Sequence, residues 1–285
     1  MSDANQRHAE QIAYWNGPGG AQWTRQQAHT DAQLAPITEA VLAAAAAVPG
    51  EHVLDIGCGC GTTTLLLGAA IGASGHVTGV DVSEPMLGWA RERGAAAHNV
   101  DWLLADAARH AFAPASVDLL FSRFGVMFFG DPTAAFAHLR SAARPGGRLV
   151  FVCWRGFDQN PWMRIPLHAA YAAGIPRMPR PGPEDPGPFA FADPDRVRRI
   201  LTDAGWADPV PTPVDVQIDL GAGGGLDRAL EQATNIGAAS RALREAPEEL
   251  RRAGVAAIRA ALEPHVQGKR VALPGAVWVI SSMRD

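Results

Sequence analysis

The sequence predicts an α/β fold, a mostly parallel sheet with helices on both faces. Short apolar runs at 52–56, 76–82, 101–104, 117–121 and 148–154 have the length and β-branched content of buried strands. Helical patterns lie between most of them, giving βαβ units whose crossovers place neighbouring strands in parallel. A glycine-rich turn at 57–61 joins the first run directly to the first crossover helix.

Composition narrows the class of molecule. The 285 residues are 47% hydrophobic and 19% charged, so the chain buries a full core and is not disordered. A formal charge of −4 gives no global attraction to nucleic-acid backbones or anionic lipid. With 3 cysteines there is no disulfide framework. Lys269 is the only lysine, which leaves little room for amine chemistry. The longest apolar runs, 41–48 and 65–73, are too short to span a bilayer, and the polar first ten residues lack the apolar stretch of a signal peptide. The expectation is a reduced, soluble, cytoplasmic enzyme or binding protein, with no nucleic-acid or membrane partner.

Residues 1–30 are polar and punctuated by Tyr14, Trp15 and Trp23, and Asn16-Gly17-Pro18-Gly19-Gly20 has turn chemistry. A helix follows over 31–48, with Asp31 as its cap and Pro49-Gly50 as its stop. The first strand, 52–56, leads through the glycine turn to a helix over 62–71. The second, 76–82, is followed by Ser83-Glu84-Pro85, a cap and first-turn proline for a helix reaching about His98. After the strands at 101–104 and 117–121, Asp131-Pro132 opens a helix to Ala143, and Pro145-Gly146-Gly147 turns into the strand 148–154. A helix over 162–174 precedes a connector at 176–191 that carries six prolines and reads as stiff and extended. A helix over 193–204, a strand over 214–220, helices over 226–264 broken near Gly237 and Pro247, and a strand over 276–281 complete the chain.

The main chemical signal lies in Val53-Leu54-Asp55-Ile56-Gly57-Cys58-Gly59-Cys60-Gly61. Glycines after a strand let a ligand approach the backbone closely. A dinucleotide fingerprint needs G-x-G-x-x-G, whereas here the glycines fall at 57, 59 and 61 and Thr62 takes the sixth position. Asp55 would repel a pyrophosphate and attract an ammonium or sulfonium. The pattern D-x-G-x-G-x-G therefore points to an amino-acid-bearing nucleoside. Asp81, ending the second strand, is suited to a ribose diol. Asp106, after the third, is suited to an adenine amino group, with Val82 and Met86 flanking the ring.

These residues resemble the class I S-adenosylmethionine-dependent methyltransferases, in particular the small-molecule type similar to enzymes of ubiquinone and menaquinone biosynthesis. The resemblance covers residues 12–155, including the Tyr-Trp-Asn-Gly-Pro-Gly-Gly segment at 14–20, and extends to 193–206. It implies a seven-stranded Rossmann-like sheet with a helical cap, and S-adenosylmethionine as cofactor. By resemblance, Asp55, Gly57, Cys58, Gly59 and Gly61 hold the methionine part, Asp81 the ribose, and Asp106 with Ala107 the adenine. Ser122-Arg123-Phe124-Gly125 would stand beside the reactive methyl. The implied organisation is an N-terminal arm and helix covering the site (1–48), a cofactor-binding core (49–155), an acceptor-side helix and proline-rich connector (156–192), and the last helix and strands (193–285) with a helical insertion at about 225–268. About 55 residues separate the last two strands, which form a close pair in simpler members. The insertion is expected over the acceptor side or against a second subunit of a homodimer.

The expected partner is a small, apolar or aromatic methyl acceptor. Tyr14, His29, His168 and Tyr171 are the candidates for touching it, the last two one helical turn apart. Cys58 and Cys60, alternate residues in a tight turn, make a poor chelate, and no metal is expected. Trp15 and Trp23, and Phe189 and Phe191, are candidates for stacking or for lining an acceptor pocket. The alternatives are an NAD(P)-dependent oxidoreductase and an S-adenosylmethionine-binding module without turnover.

Overall fold

A computed structural model of the chain describes residues 3–179, 182 and 185–285. The strands are β1 (His52–Ile56), β2 (His76–Asp81), β3 (Val100–Leu104), β4 (Val117–Arg123), β5 (Ala143–Trp154), β6 (Ala207–Asp219), β7 (Val266–Gln267) and β8 (Arg270–Met283). They form a sheet in the order β3-β2-β1-β4-β5-β8-β6, with β7 paired to β8. The first five run parallel, and β8 lies antiparallel between β5 and β6. The central strands are buried on both faces, as their continuous apolar runs require: Leu54, Leu120, Phe121, Phe151 and Val152 are at most 1% exposed.

The crossover helices are α4 (Thr62–Ile71), α5 (Glu84–Arg93), α6 (Pro132–Ala142) and α8 (Pro194–Asp203). Asp131 and Asp193 cap the last two through their side chains, accepting from Ala134 N at 3.0 Å and Asp195 N at 2.9 Å. Ser83 does not cap α5: its hydroxyl donates to the carbonyl of Trp15 at 2.6 Å. That helix stops at Arg93, short of the expected His98, with Gly94 as its C-cap.

The N-terminal region departs most from the sequence reading. It forms three helices, α1 (Asp3–Asn16), α2 (Pro18–Arg25) and α3 (Gln27–Ala45). The glycines read as a turn lie inside α2, where they allow close packing: a Cβ on Gly20 would stand 2.1 Å from the carbonyl oxygen of Trp15. Asp31, read as a cap, sits within α3 and makes tertiary contacts instead.

The last two strands do form a close pair. Strand β6 begins seven residues earlier than expected and pairs with β8 from Ala207 to Asp219. Its prolines at 209, 211 and 213 fall at alternate positions on an edge strand, so their missing N–H groups share the side away from β8. The insertion grows from the tip of this hairpin as α9 (Gly225–Asn235), α10 (Ala238–Arg244) and α11 (Glu248–Leu262). It packs on α7 (Pro161–Ala172) through a second apolar core that includes Leu167, Ala170, Leu243, Ile258 and Leu262. Of the connector at 176–191, residues 180, 181, 183 and 184 lie outside the described residues.

Candidate active site

A cavity of about 1010 Å³ opens at the carboxyl ends of the parallel strands, on both sides of the β1–β4 junction where strand order reverses. Open α/β sheets bind ligands in this crevice. Gly57, Cys58, Gly59, Asp81, Val82, Met86, Asp106, Ala107 and Phe124 all line it, a set drawn from the ends of four strands.

The glycine turn is shaped by close approach. Gly57 has φ +66°, and a Cβ there would lie 2.6 Å from the Cα of Gly125, so the turn fits tightly against the end of β4. Its amides are already in use. The N–H groups of Gly57 and Cys58 donate to Val80 O at 2.8 and 3.1 Å, and that of Gly59 to Asp81 Oδ2 at 2.8 Å. A diphosphate needs such donors free, so their engagement speaks against a dinucleotide here.

The carboxylates differ in placement. Asp55 is fully buried beneath the turn and does not line the cavity. Its Oδ2 accepts from the hydroxyls of Thr63 and Thr64 at 2.7 Å each, while Oδ1 has no partner. Burial lifts its carboxyl from 3.8 to about 6, against the lowering effect of the two threonines and Arg123. Asp81 lines the cavity and accepts from Gly59 N and from Ser83 N at 2.8 Å; burial pushes its carboxyl upward too. A carboxylate has about four acceptor directions, so capacity for a ligand hydroxyl remains beside these donors and the N–H of Val82. Asp106 Oδ1 accepts from Ala108 N at 3.0 Å, and Arg109 Nε lies 3.7 Å from Oδ2. Burial also raises the thiol of Cys60 to about 11 and that of Cys58 well above its ordinary value, so both are neutral at pH 7.

Residues 53–147 match the family of methyltransferase domains. This segment, a third of the chain, is similar to methyltransferase domains. The chain is 36% identical over 101 residues to demethylmenaquinone methyltransferase of Staphylococcus aureus, a match covering 35% of this chain and 42% of that one. It is 36% identical over 133 residues to an uncharacterized 37.1 kDa protein in transposon TN4556 of Streptomyces fradiae, covering 47% and 38%. The chain thus spans about two fifths of the curated relatives it matches. Among solved structures it shares the fold of the [4+2]-cyclase SpnF, at a TM-score of 0.51 and 17% identity, covering 87% of this chain and 80% of that one. The cofactor of the methyltransferase class is S-adenosylmethionine, and the close-fitting turn with Asp81 and Asp106 beside it suits that nucleoside.

Away from the glycine turn, the cavity is walled by aromatic rings. Phe124 stacks on Trp154 with centroids 4.4 Å apart and planes 10° from parallel, and Trp154 meets Trp162 at 5.1 Å. Phe124 holds φ +67°, a conformation costing a non-glycine residue about 1–2 kcal/mol. The parallel stack and a bond from its N–H to Val152 O at 3.1 Å hold it there.

Trp15 meets Phe128 at 5.2 Å, and Trp23 also faces the cavity. The arm is latched to the chain just after β2. Asn16 Nδ2 donates to Val82 O at 2.7 Å, and Glu84 N donates to Asn16 Oδ1 at 3.1 Å.

The remaining predicted residues divide. Tyr14, His168 and Tyr171 line the cavity. His168 is exposed and sits 6.0 Å from the Phe157 ring, and the hydroxyl of Tyr171 accepts from Met178 N at 3.3 Å. His29 does not line it: it is buried with Nε2 2.8 Å from Leu220 O, tying α3 to the base of the insertion, and burial lowers its pKa. Gly61 and Ser122 also lie off the lining. Gly61 is the N-cap residue of α4, and the Ser122 hydroxyl donates to Ile56 O at 2.7 Å, holding β4 to β1. Phe189 lines the cavity, whereas Phe191 is 1% exposed in the core.

Sequence reasoning missed two groups. Asp31 faces the cavity in an ion pair with Arg123 at 3.0 Å and also accepts from Thr62 and Gln27. The insertion contributes Gln232, Asn235, Ile236 and Arg241 to the lining. The insertion thus forms part of the cavity wall. Both groups are distant in sequence from the glycine turn, and no local pattern marks them.

Proposed function

We propose that the chain transfers the methyl group of S-adenosylmethionine to a small molecule with a flat, largely apolar body. One observation carries this: a single cavity joins the glycine turn, Asp81 and Asp106 to the aromatic wall of Phe124, Trp154 and Trp162. When bound, the cofactor supplies an electrophilic methyl carbon on a positively charged sulfur.

The residues of the chain would act by binding and positioning. Asp81 offers its remaining acceptor capacity to the ribose diol, and Asp106 accepts from the adenine amino group, with Val82 and Met86 against the ring. Asp55 acts from beneath the turn through its charge, which favours a cationic ligand above it. The stacked Phe124 and Trp154 give the acceptor a rigid apolar surface and exclude water. Alignment of an acceptor lone pair about 3 Å from the carbon supplies much of the rate. For an acceptor that carries a proton, His168, Tyr171 and Tyr14 are the side chains on the cavity able to receive it.

Calorimetry with S-adenosylmethionine and S-adenosylhomocysteine tests the reading. Saturable binding of both is expected. Binding of neither, or binding of NADH in their place, overturns it. A second reading, a cofactor-binding module without methyl transfer, is favoured by the shared fold with a [4+2]-cyclase. It predicts cofactor binding with no isotopic label moved from the methyl group to any small-molecule fraction of an extract.

A further inference from the structure

Three polar side chains on the wall between α3 and α9 are incomplete. Thr30 (4% exposed), Gln33 (2%) and Gln232 (4%) all line the cavity. Gln232 Nε2 donates to Gln33 Oε1 at 2.9 Å, which uses one group of each amide. Gln33 Nε2, Gln232 Oε1 and Thr30 Oγ1 are left buried without a partner. Reversing both amides gives the same inventory, one N–H donor and one carbonyl acceptor. Buried amides in folded proteins are almost always satisfied, and three orphaned atoms together on a cavity wall mark a place for a ligand group.

The chemistry of that group follows from its surroundings. Both amides and the hydroxyl are neutral. Asp31, the carboxylate of α3 on the cavity, is already held by Arg123 at 3.0 Å and by the hydroxyl of Thr62. None of the three incomplete side chains offers a counter-ion to a charged ligand group. The neighbouring lining residues Leu34 and Ile236 are apolar.

We propose that Gln33, Gln232 and Thr30 form the polar recognition point for the methyl acceptor. They bind the edge of a neutral group carrying a donor and an acceptor side by side, as a primary carboxamide or a lactam does, on an apolar ring system. The assignment rests on the methyl-transfer reading only in calling the ligand an acceptor; the binding itself is independent of turnover.

The test compares two ligands of nearly equal shape, 2-naphthamide and 2-acetylnaphthalene, titrated into the full chain with S-adenosylhomocysteine present. The amide has the donor and the acceptor; the ketone has the acceptor alone. Wild-type protein is expected to bind the amide at least about tenfold more tightly, because the ketone leaves the buried amide oxygen unpaired. The preference should vanish in whichever of Gln232→Leu and Gln33→Leu removes the orphaned amide oxygen, with binding of S-adenosylhomocysteine reporting that each variant is folded. Equal affinity of wild-type protein for the two ligands overturns the assignment without any variant, and so does a preference that survives both substitutions. Failure of S-adenosylhomocysteine to bind wild-type protein counts instead against the methyl-transfer reading.

Discussion

Replacing Asp55 by Asn should stabilise the ligand-free protein and weaken its hold on S-adenosylmethionine. The carboxyl is fully buried, keeps Oδ1 unpartnered, and is lifted from 3.8 to about 6 by desolvation. At about 1.4 kcal/mol per pKa unit, holding it ionised in the fold costs on the order of 3 kcal/mol. The sign follows from proton binding. Between pH 4 and pH 6 the folded chain binds this proton and the unfolded chain does not, so the stabilisation from protonated Asp55 is full below pH 4 and lost as pH rises through 6.

The carbonyl of Asn can still accept from Thr63 and Thr64, now without a buried charge. Urea unfolding of ligand-free protein should show the variant more stable by up to about 3 kcal/mol at pH 8, and the difference should vanish toward pH 4. A cation bound above the turn favours ionised Asp55, so wild-type affinity for S-adenosylmethionine should rise as pH passes 6. The variant should bind about 1–3 kcal/mol more weakly at pH 8, with no such rise. Destabilisation of the variant at pH 8, or unchanged affinity for the cofactor, would refute the role given to this charge.

Asp81→Asn should cost cofactor binding about 1–3 kcal/mol, since it removes charge-assisted acceptance beside the turn; calorimetry giving wild-type affinity would remove Asp81 from the ribose site. In Gly57→Ala a Cβ would meet the Cα of Gly125 at 2.6 Å with φ at +66°, and a loss of about 2–4 kcal/mol is expected in chemical denaturation. A near-neutral result there would mean that the end of β4 yields easily. Asn16→Ala releases the 2.7 Å bond to Val82 O that latches the arm. Amide exchange in α1 and α2 should then speed up and the cofactor should bind about 1 kcal/mol more weakly; unchanged exchange would show that the aromatic contacts alone hold the arm.

The parts of the fold legible in the sequence are those fixed by local physics. Central strands announce themselves as short β-branched runs because both of their faces are buried. The helix starts at Asp131-Pro132 and Asp193-Pro194 are legible because an aspartate before a proline at the first helical position satisfies an amide within the same turn. The glycines at 57–61 stand out because the turn packs so closely that a Cβ on Gly57 would meet the Cα of Gly125. The same local logic misread Gly19 and Gly20, whose lack of a Cβ serves close packing against Trp15 and Ser83 and not a change of chain direction. It also misread Asp31 and Ser83, polar residues placed like caps but engaged by Arg123 and by the Trp15 carbonyl.

What the sequence by itself determined, then, is the α/β sheet and the edge of it at which the cavity opens, since strand patterning and the turn depend on near neighbours. Tertiary structure alone decided that Asp55 lies beneath the turn, that His29 serves the base of the insertion, and that α9 closes the cavity with Gln232 against Gln33. Those outcomes depend on which surfaces meet across as many as 199 residues of chain, where burial and hydrogen-bond partners are set by packing and not by spacing.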